Sequence, residues 1–238
     1  MLSQEFHEGI IDSAVVFHDT LNPNLWRANR LKPLVRLGLL KIAKDFVDFI
    51  GVENLDIIDI TISGSNAAFT YTPKSDLDLH LIVRIPTANR QLYKQLFDAK
   101  KNQYNSLYKL TVKDVDVELY VQDAKDTHHS AGIYSVKNDS WVSEPKRVKV
   151  RIRDQDVQQK VDNYIGKIKT ALASENLVFI GRVQETIKKL RQSGLDREGE
   201  FSIENIAFKV LRAKGWLERL RQHKYNVQSE MLSVENMQ

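Results

Sequence analysis

The run Ile57-Ile58-Asp59-Ile60-Thr61-Ile62-Ser63-Gly64-Ser65-Asn66 and, a few residues on, Ser75-Asp76-Leu77-Asp78-Leu79-His80-Leu81-Ile82-Val83 decide the fold. Residues 57–62 are short, apolar and rich in β-branched side chains, which predicts a strand. Ser63 to Asn66 is a turn of small residues, and Thr70 to Pro73 reads as a second, irregular turn. Residues 77–83 alternate polar and apolar over most of their length, which predicts another strand. Beyond it, Ala88 to Leu107 has Leu92, Leu96, Ala99 and Tyr104 roughly in helical phase. Val115-Asp116-Val117-Glu118-Leu119-Tyr120-Val121 then alternates as a third strand.

Upstream, apolar residues from Leu34 to Ile50 recur at three- and four-residue spacing, the mark of a packed helix. Pro33 suits its first turn and Gly51 its C-terminal cap. Downstream, from about Gln155, the chain reads as helical. Val157, Val161, Ile165 and Ile168 share a phase, and Leu177 to Leu190 forms a second helix. Ser202 is a natural N-cap for a third, which carries Ile206, Val210, Leu211, Trp216 and Leu220. The last ten or so residues are polar and expected to fray. The expected fold is α/β (α+β): a small mixed sheet with an N-terminal helix and a C-terminal helical subdomain. The expected domains are 1–153 and 154–238, with ligand between core and helices.

Composition narrows the function. The chain has 238 residues, 42% hydrophobic and 28% charged, as an ordinary globular protein has and a disordered chain does not. It has no cysteine, which excludes disulfides and thiolate metal sites. Met1 to Ile11 is broken by Gln4, Glu5, His7 and Glu8, unlike a secretory signal. No apolar run approaches the ~18 residues that span a bilayer, so the cytoplasm is the expected location. A net charge of +4 and a pI near 9.1 weakly favour polyanions as partners.

The acids carry the chemistry. Side chains alternate along a strand, so Asp76 and Asp78 share one face while Leu77 and Leu79 take the other. Asp116 and Glu118 also share a face; if their strand lies beside 77–83, one of them completes a set of three. Such carboxylates suit magnesium, a hard cation that also keeps waters and substrate phosphates. Two divalent ions ~3.5–4 Å apart stabilise the attacking and leaving oxygens of an in-line phosphoryl substitution together. Gly64 lets the backbone approach a phosphate, Ser65 and nearby N–H groups can donate to it, and Lys74 adds a point charge.

Gly64-Ser65, Ser75-Asp76-Leu77-Asp78 and Val117-Glu118-Leu119 resemble the signature of the DNA polymerase beta-like nucleotidyltransferases. The wider context is similar to predicted nucleotidyltransferases of bacteriophages: Leu34 to Ile50 leading into Ile62 to Ala67, then Asp76 to His80, Gly132 to Ser135 with Trp141, and Phe201 to Asn205. The signature covers residues 57–121; the looser likeness spans nearly the whole chain. The resemblance implies that Gly64 and Ser65 hold a nucleoside triphosphate such as ATP. It implies that Asp76 and Asp78 ligate Mg2+ (or Mn2+) with a third carboxylate. Val117-Glu118-Leu119 fits the family pattern and Glu118 is preferred, although Val115-Asp116-Val117 fits equally well. The implied activity moves a nucleoside monophosphate to a hydroxyl on RNA, a nucleotide, a small molecule or a protein, releasing pyrophosphate. The acceptor is not named by the likeness. A bacteriophage origin would make the location the host cytoplasm. Two other readings are a non-catalytic nucleotide- or RNA-binding module of the same fold, and a toxin- or defence-type transferase acting on tRNA or protein.

Weaker signals have plainer readings. His80 shares the face of Asp76 and Asp78 and reads as a partly buried polar neighbour. His128-His129 reads as a solvated loop. Arg147, Lys149, Arg151 and Arg153 alternate with apolar residues; they form either a patch for RNA or another polyanion, or a charge-protected edge strand. Lys209 and Arg212 either contact phosphates from the helical subdomain or, the reading preferred here, belong to a solvated basic helix face. Phe208, Trp216, Tyr134 and Trp141 read as core, the last two bracketing a turn at Asn138-Asp139.

Overall fold

The structure, a computed structural model, describes residues 15–73, 75–126, 130–147 and 153–233. It divides into two compact units. Phe17–Val148 holds the strands, and Lys149–Gln238 together with Met1–Val16 holds the second set of helices.

The strand-bearing unit opens with a hairpin of β1 (Trp26–Arg27) and β2 (Arg30–Leu31). Its turn residues Ala28 and Asn29 both have positive φ, at 48° and 61°, the backbone that matches the twist of a two-residue hairpin. Helix α1 (Pro33–Ile50) follows, started by Pro33 and ended by Gly51 in the left-handed conformation. Next come β3 (Ile57–Ser63), a single helical turn at Ser65–Ala67, β4 (Leu77–Val83) and α2 (Arg90–Leu107). Then come β5 (Thr111–Val112), β6 (Val115–Asp123), β7 (Ile133–Ser135) and β8 (Ser140–Ser143).

The strands form one six-stranded sheet in the order β5-β6-β4-β3-β7-β8. Only β4 and β6 run parallel; the other neighbours are antiparallel. Helix α2 is the crossover that a parallel pair needs. Leu77, Leu79, Leu81, Ile62 and Leu119 are fully buried on one sheet face, in one core with Val35, Leu39, Ala43 and Phe46 of α1 and Phe97 and Tyr104 of α2. Burying those leucines puts Asp78 and Glu118 on the opposite face by alternation.

The β7–β8 hairpin pairs Tyr134 with Trp141 around Asn138-Asp139. Tyr134 is fully buried in the core, and Trp141, partly buried, packs against that core and stacks on Trp26, ring centroids 4.9 Å apart.

The helical unit consists of α3 (Asp154–Leu172), α4 (Leu177–Glu198), α5 (Ile203–Ala213) and α6 (Trp216–Leu232) around its own core. The Ser202 side chain caps α5 by accepting from the Asn205 N–H. The single helix expected from Ser202 to Leu220 is two. Gly215 at φ 74° ends one and starts the next, and because 3.6-residue phase survives such a break, periodicity did not reveal it. Helix α6 runs to Leu232, into the first of the last ten residues where fraying was expected; residues 234–238 lie outside the described residues.

Candidate active site

In the parallel pairing of β4 with β6, Asp78 lies opposite Glu118. Asp76 precedes β4 by one residue, on the face of Asp78. Ligand oxygens from Asp76, Asp78 and Glu118 all lie within 4.8 Å of one another, and each residue is half-buried. Among the described residues this is the one acidic cluster with metal-ligand spacing. Asp116 is opposite Thr111 in the β5–β6 hairpin and exposed, so the strand register favours Glu118 over Asp116 for the cluster. Two unit charges at this spacing repel by roughly 3 kcal/mol at an effective dielectric of ~20, and less where water screens them. A divalent cation relieves that repulsion, and three hard oxygen donors suit one.

Gly64 sits against this cluster. Ser63 pairs with Asp78 across β3 and β4, and Gly64 turns away from the sheet at φ 77°. A Cβ there would lie 2.1 Å from Asp78 Oδ2. The missing side chain is therefore the space that Asp78 occupies. The Gly64 N–H donates to Ser130 Oγ at 3.2 Å. Ser65 Oγ donates to Ser75 Oγ at 2.9 Å, so the turn is tied to the residue before Asp76.

Two asparagines hold the main chain on either side of the acids. Asn66 is fully buried. Its amide donates to the carbonyls of Ser75 (3.0 Å) and Asp76 (2.8 Å), while its own Oδ1 accepts from Asn22 at 2.9 Å. Asn105, at the end of α2, works on β6. It donates to the Leu119 carbonyl at 3.0 Å and accepts from the Leu119 N–H at 3.1 Å. Strand β5 pairs β6 only at Val115 and Asp116, so the Asn105 amide stands in for a strand neighbour next to Glu118. Asn66 follows the Gly-Ser pair in sequence, a signal that could have been read. Asn105 carried none, because its role depends on where α2 ends.

Tyr120 follows the acids on the same face of β6. Burial, the charges of Asp78 and Glu118, a hydrogen bond to Glu118 and the charge of Asp76 push its phenol far above the ordinary value. It therefore stays protonated as a donor. His80 stacks on it with centroids 5.0 Å apart and meets Ser63 Oγ through Nε2 at 3.0 Å. His80 is buried beside the acids, where a partly buried polar neighbour was expected.

A cavity of about 360 Å³ opens beside the cluster. Asp76, Asp116 and Glu118 line one side, and Ser106, Tyr108 and Lys109, from the end of α2 onward, line the other.

Other candidates fall elsewhere. Lys74, His128, His129, Lys149 and Arg151 lie outside the described residues. Arg147 lies over the Phe69 ring at 5.2 Å and donates to the Asp19 carbonyl. Arg153 is the N-cap residue of α3 and pairs with Asp156 at 2.9 Å. Phe208 and Trp216 pack against the helical core. No described helix is long and apolar enough to cross a membrane.

No family model matches the sequence, and no curated protein matches it. Among solved structures, the chain is similar to a STING-associated CdnE c-di-GMP synthase from Capnocytophaga granulosa. The two are 13% identical over 84% of each chain, with a TM-score of 0.23. At that score the site rests on its own geometry.

Proposed function

We propose that the chain is a divalent-metal-dependent nucleotidyltransferase of the polymerase beta-like class, akin to those predicted in bacteriophages. The observation that carries this reading is the convergence of Asp76, Asp78 and Glu118 from adjacent parallel strands, against a glycine whose absent Cβ makes room for Asp78. Those three carboxylates would hold Mg2+ or Mn2+. When bound, the metal supplies charge neutralisation at the phosphates and lowers the pKa of a bound hydroxyl. Gly64 and Ser65 would bind the triphosphate, with Lys74 as a further cation, and Asn66 would keep Asp76 aimed. In the reaction an acceptor hydroxyl oxygen bonds to the α-phosphorus. The bond from that phosphorus to the bridging oxygen breaks, and pyrophosphate leaves with the electron pair. The hydroxyl proton departs on the side of Glu118.

The test is pyrophosphate release from each of the four ribonucleoside triphosphates with magnesium or manganese, with total RNA and cell extract supplied as acceptors. Wild type should release pyrophosphate, and Asp76→Asn and Asp78→Asn should lose at least a hundredfold while keeping their fold. Equal release by wild type and Asp76→Asn would remove the metal assignment. No release under any condition would favour a non-catalytic nucleotide- or RNA-binding module.

A further inference from the structure

We infer that the cavity bordered by Glu118, Asp116, Tyr108 and Lys109 is the acceptor site, and that it takes a nucleoside phosphate bearing a free hydroxyl; this rests on the transfer reading above. The argument begins with direction. In-line substitution requires the attacking oxygen and the leaving pyrophosphate on opposite sides of the phosphorus. The sheet order β5-β6-β4-β3 gives the site two flanks. Gly64 and Ser65 lie at the end of β3, on one flank of the acids, and are the triphosphate end. The cavity lies on the other flank, along β6 and toward β5. An acceptor seated there presents its hydroxyl past Asp76 and Glu118 toward the phosphorus.

The chemistry of the lining selects the ligand class. Tyr108 is 48% exposed, and its ring packs at a tilt of 55° against buried Tyr104, centroids 4.8 Å apart. Tyr104 is itself fixed by a 2.7 Å hydrogen bond to Asp45. A steadied, half-open aromatic face is a stacking platform for a base. Lys109, the next residue, offers an ammonium to a phosphate. Asp116, outside the metal cluster yet lining the cavity, can accept from a ribose hydroxyl or an exocyclic amine. The wall is not loose, because the Val117 N–H donates to the Leu110 carbonyl at 2.8 Å. The volume, about 360 Å³, is within the range of small-ligand sites.

The test is calorimetric titration of nucleoside 5′-monophosphates and of a short RNA with a free 3′ end. It is done in magnesium, with the donor site filled by a triphosphate whose α–β bridge cannot be cleaved. Wild type should bind, and Tyr108→Ala and Lys109→Ala should each weaken binding at least tenfold, with Asp116→Asn shifting the preference among bases. The magnesium affinity of all three should match wild type. Absence of binding by wild type, or affinities within twofold in all three variants, would overturn the assignment. Tighter binding of the RNA with the same tenfold losses identifies an RNA end as the source of the ligand; equal binding of free monophosphates identifies a soluble nucleotide. Pyrophosphate release with monophosphate binding unchanged in the variants sinks the cavity and spares the transferase. Monophosphate binding lost in the variants, without any release, does the reverse.

Discussion

At Gly64, backbone conformation and a neighbouring carboxylate impose the same residue. The φ of 77° favours glycine, and a Cβ would strike Asp78 Oδ2 at 2.1 Å. Gly64→Ala is expected to destabilise the fold by ~1–3 kcal/mol, because the backbone there (φ 77°, ψ −165°) is essentially glycine's alone, and to push Asp78 out of place. Magnesium titration should show at least tenfold weaker binding, and an unchanged affinity would mean that Asp78 is not a ligand. A second residue-scale case lies at the far end of β6. Burial alone would raise the pKa of Asp123, but the Lys125 N–H, the Arg90 hydrogen bond and charge, and the Ile85 N–H outweigh it and hold the carboxyl below its ordinary value. A depressed carboxyl stabilises the fold above its unfolded pKa of ~3.9, and that stability is lost as the pH falls through the folded value. Arg90 meets Asp123 at 2.6 Å, with side chains 37% and 0% exposed. Breaking a buried pair costs ~3–5 kcal/mol; with Arg90 partly solvated, about 2 kcal/mol is expected for Arg90→Ala. Urea melts should show that loss at pH 7 and a smaller one near pH 3.

The elements matter through how they are tied. The acids sit on two strands, and their spacing depends on clamps outside those strands. Asn66 holds the chain entering β4, and Asn105 holds β6 just past Glu118. Asn105→Ala leaves the Leu119 N–H and C=O without that partner at the stretch β5 does not reach. A cost of ~1–3 kcal/mol follows, together with several-fold weaker magnesium binding as Glu118 gains freedom. Asn105→Ala with wild-type metal affinity, measured by calorimetry, would show that the clamp serves stability only.

At the scale of the molecule, the strand-bearing and helical units have cores that share no residue. The acids, Gly64, both asparagine clamps and the cavity all belong to the strand-bearing unit. Metal binding should therefore stabilise that unit, by RT ln(1 + [L]/Kd). In calorimetric scans, magnesium should raise the melting temperature of the chain. Asp76→Asn should abolish the shift. Without metal it should melt slightly above wild type, since it removes like-charge repulsion from the cluster. A magnesium shift that survives Asp76→Asn would place the ion elsewhere.

Much of this was legible in the chain, and for a physical reason. Period-2 and period-3.6 patterns record which side of an element meets the core, so α1, β3, β4, α2 and β6 could be read from spacing, and alternation put Asp76 and Asp78 on one face. Gly51 and Ser202 were legible because caps are local chemistry. The two-residue strands β1, β2 and β5, which meet the turns at Ala28-Asn29 and Lys113-Asp114, were not, since left-handed turns without glycine leave little trace and strands that short have no period. Nor was the break at Gly215, where the helical phase resumes. The choice of Glu118 over Asp116 was beyond any one-dimensional pattern. Both lie on the same face of the same strand, and only the parallel register, which sets Asp78 opposite Glu118, separates them. The sequence thus determined which side chains can carry charge to one face. The pairing of strands distant along the chain decided which charges meet, because proximity across a sheet is set by hydrogen-bond register and not by spacing in sequence.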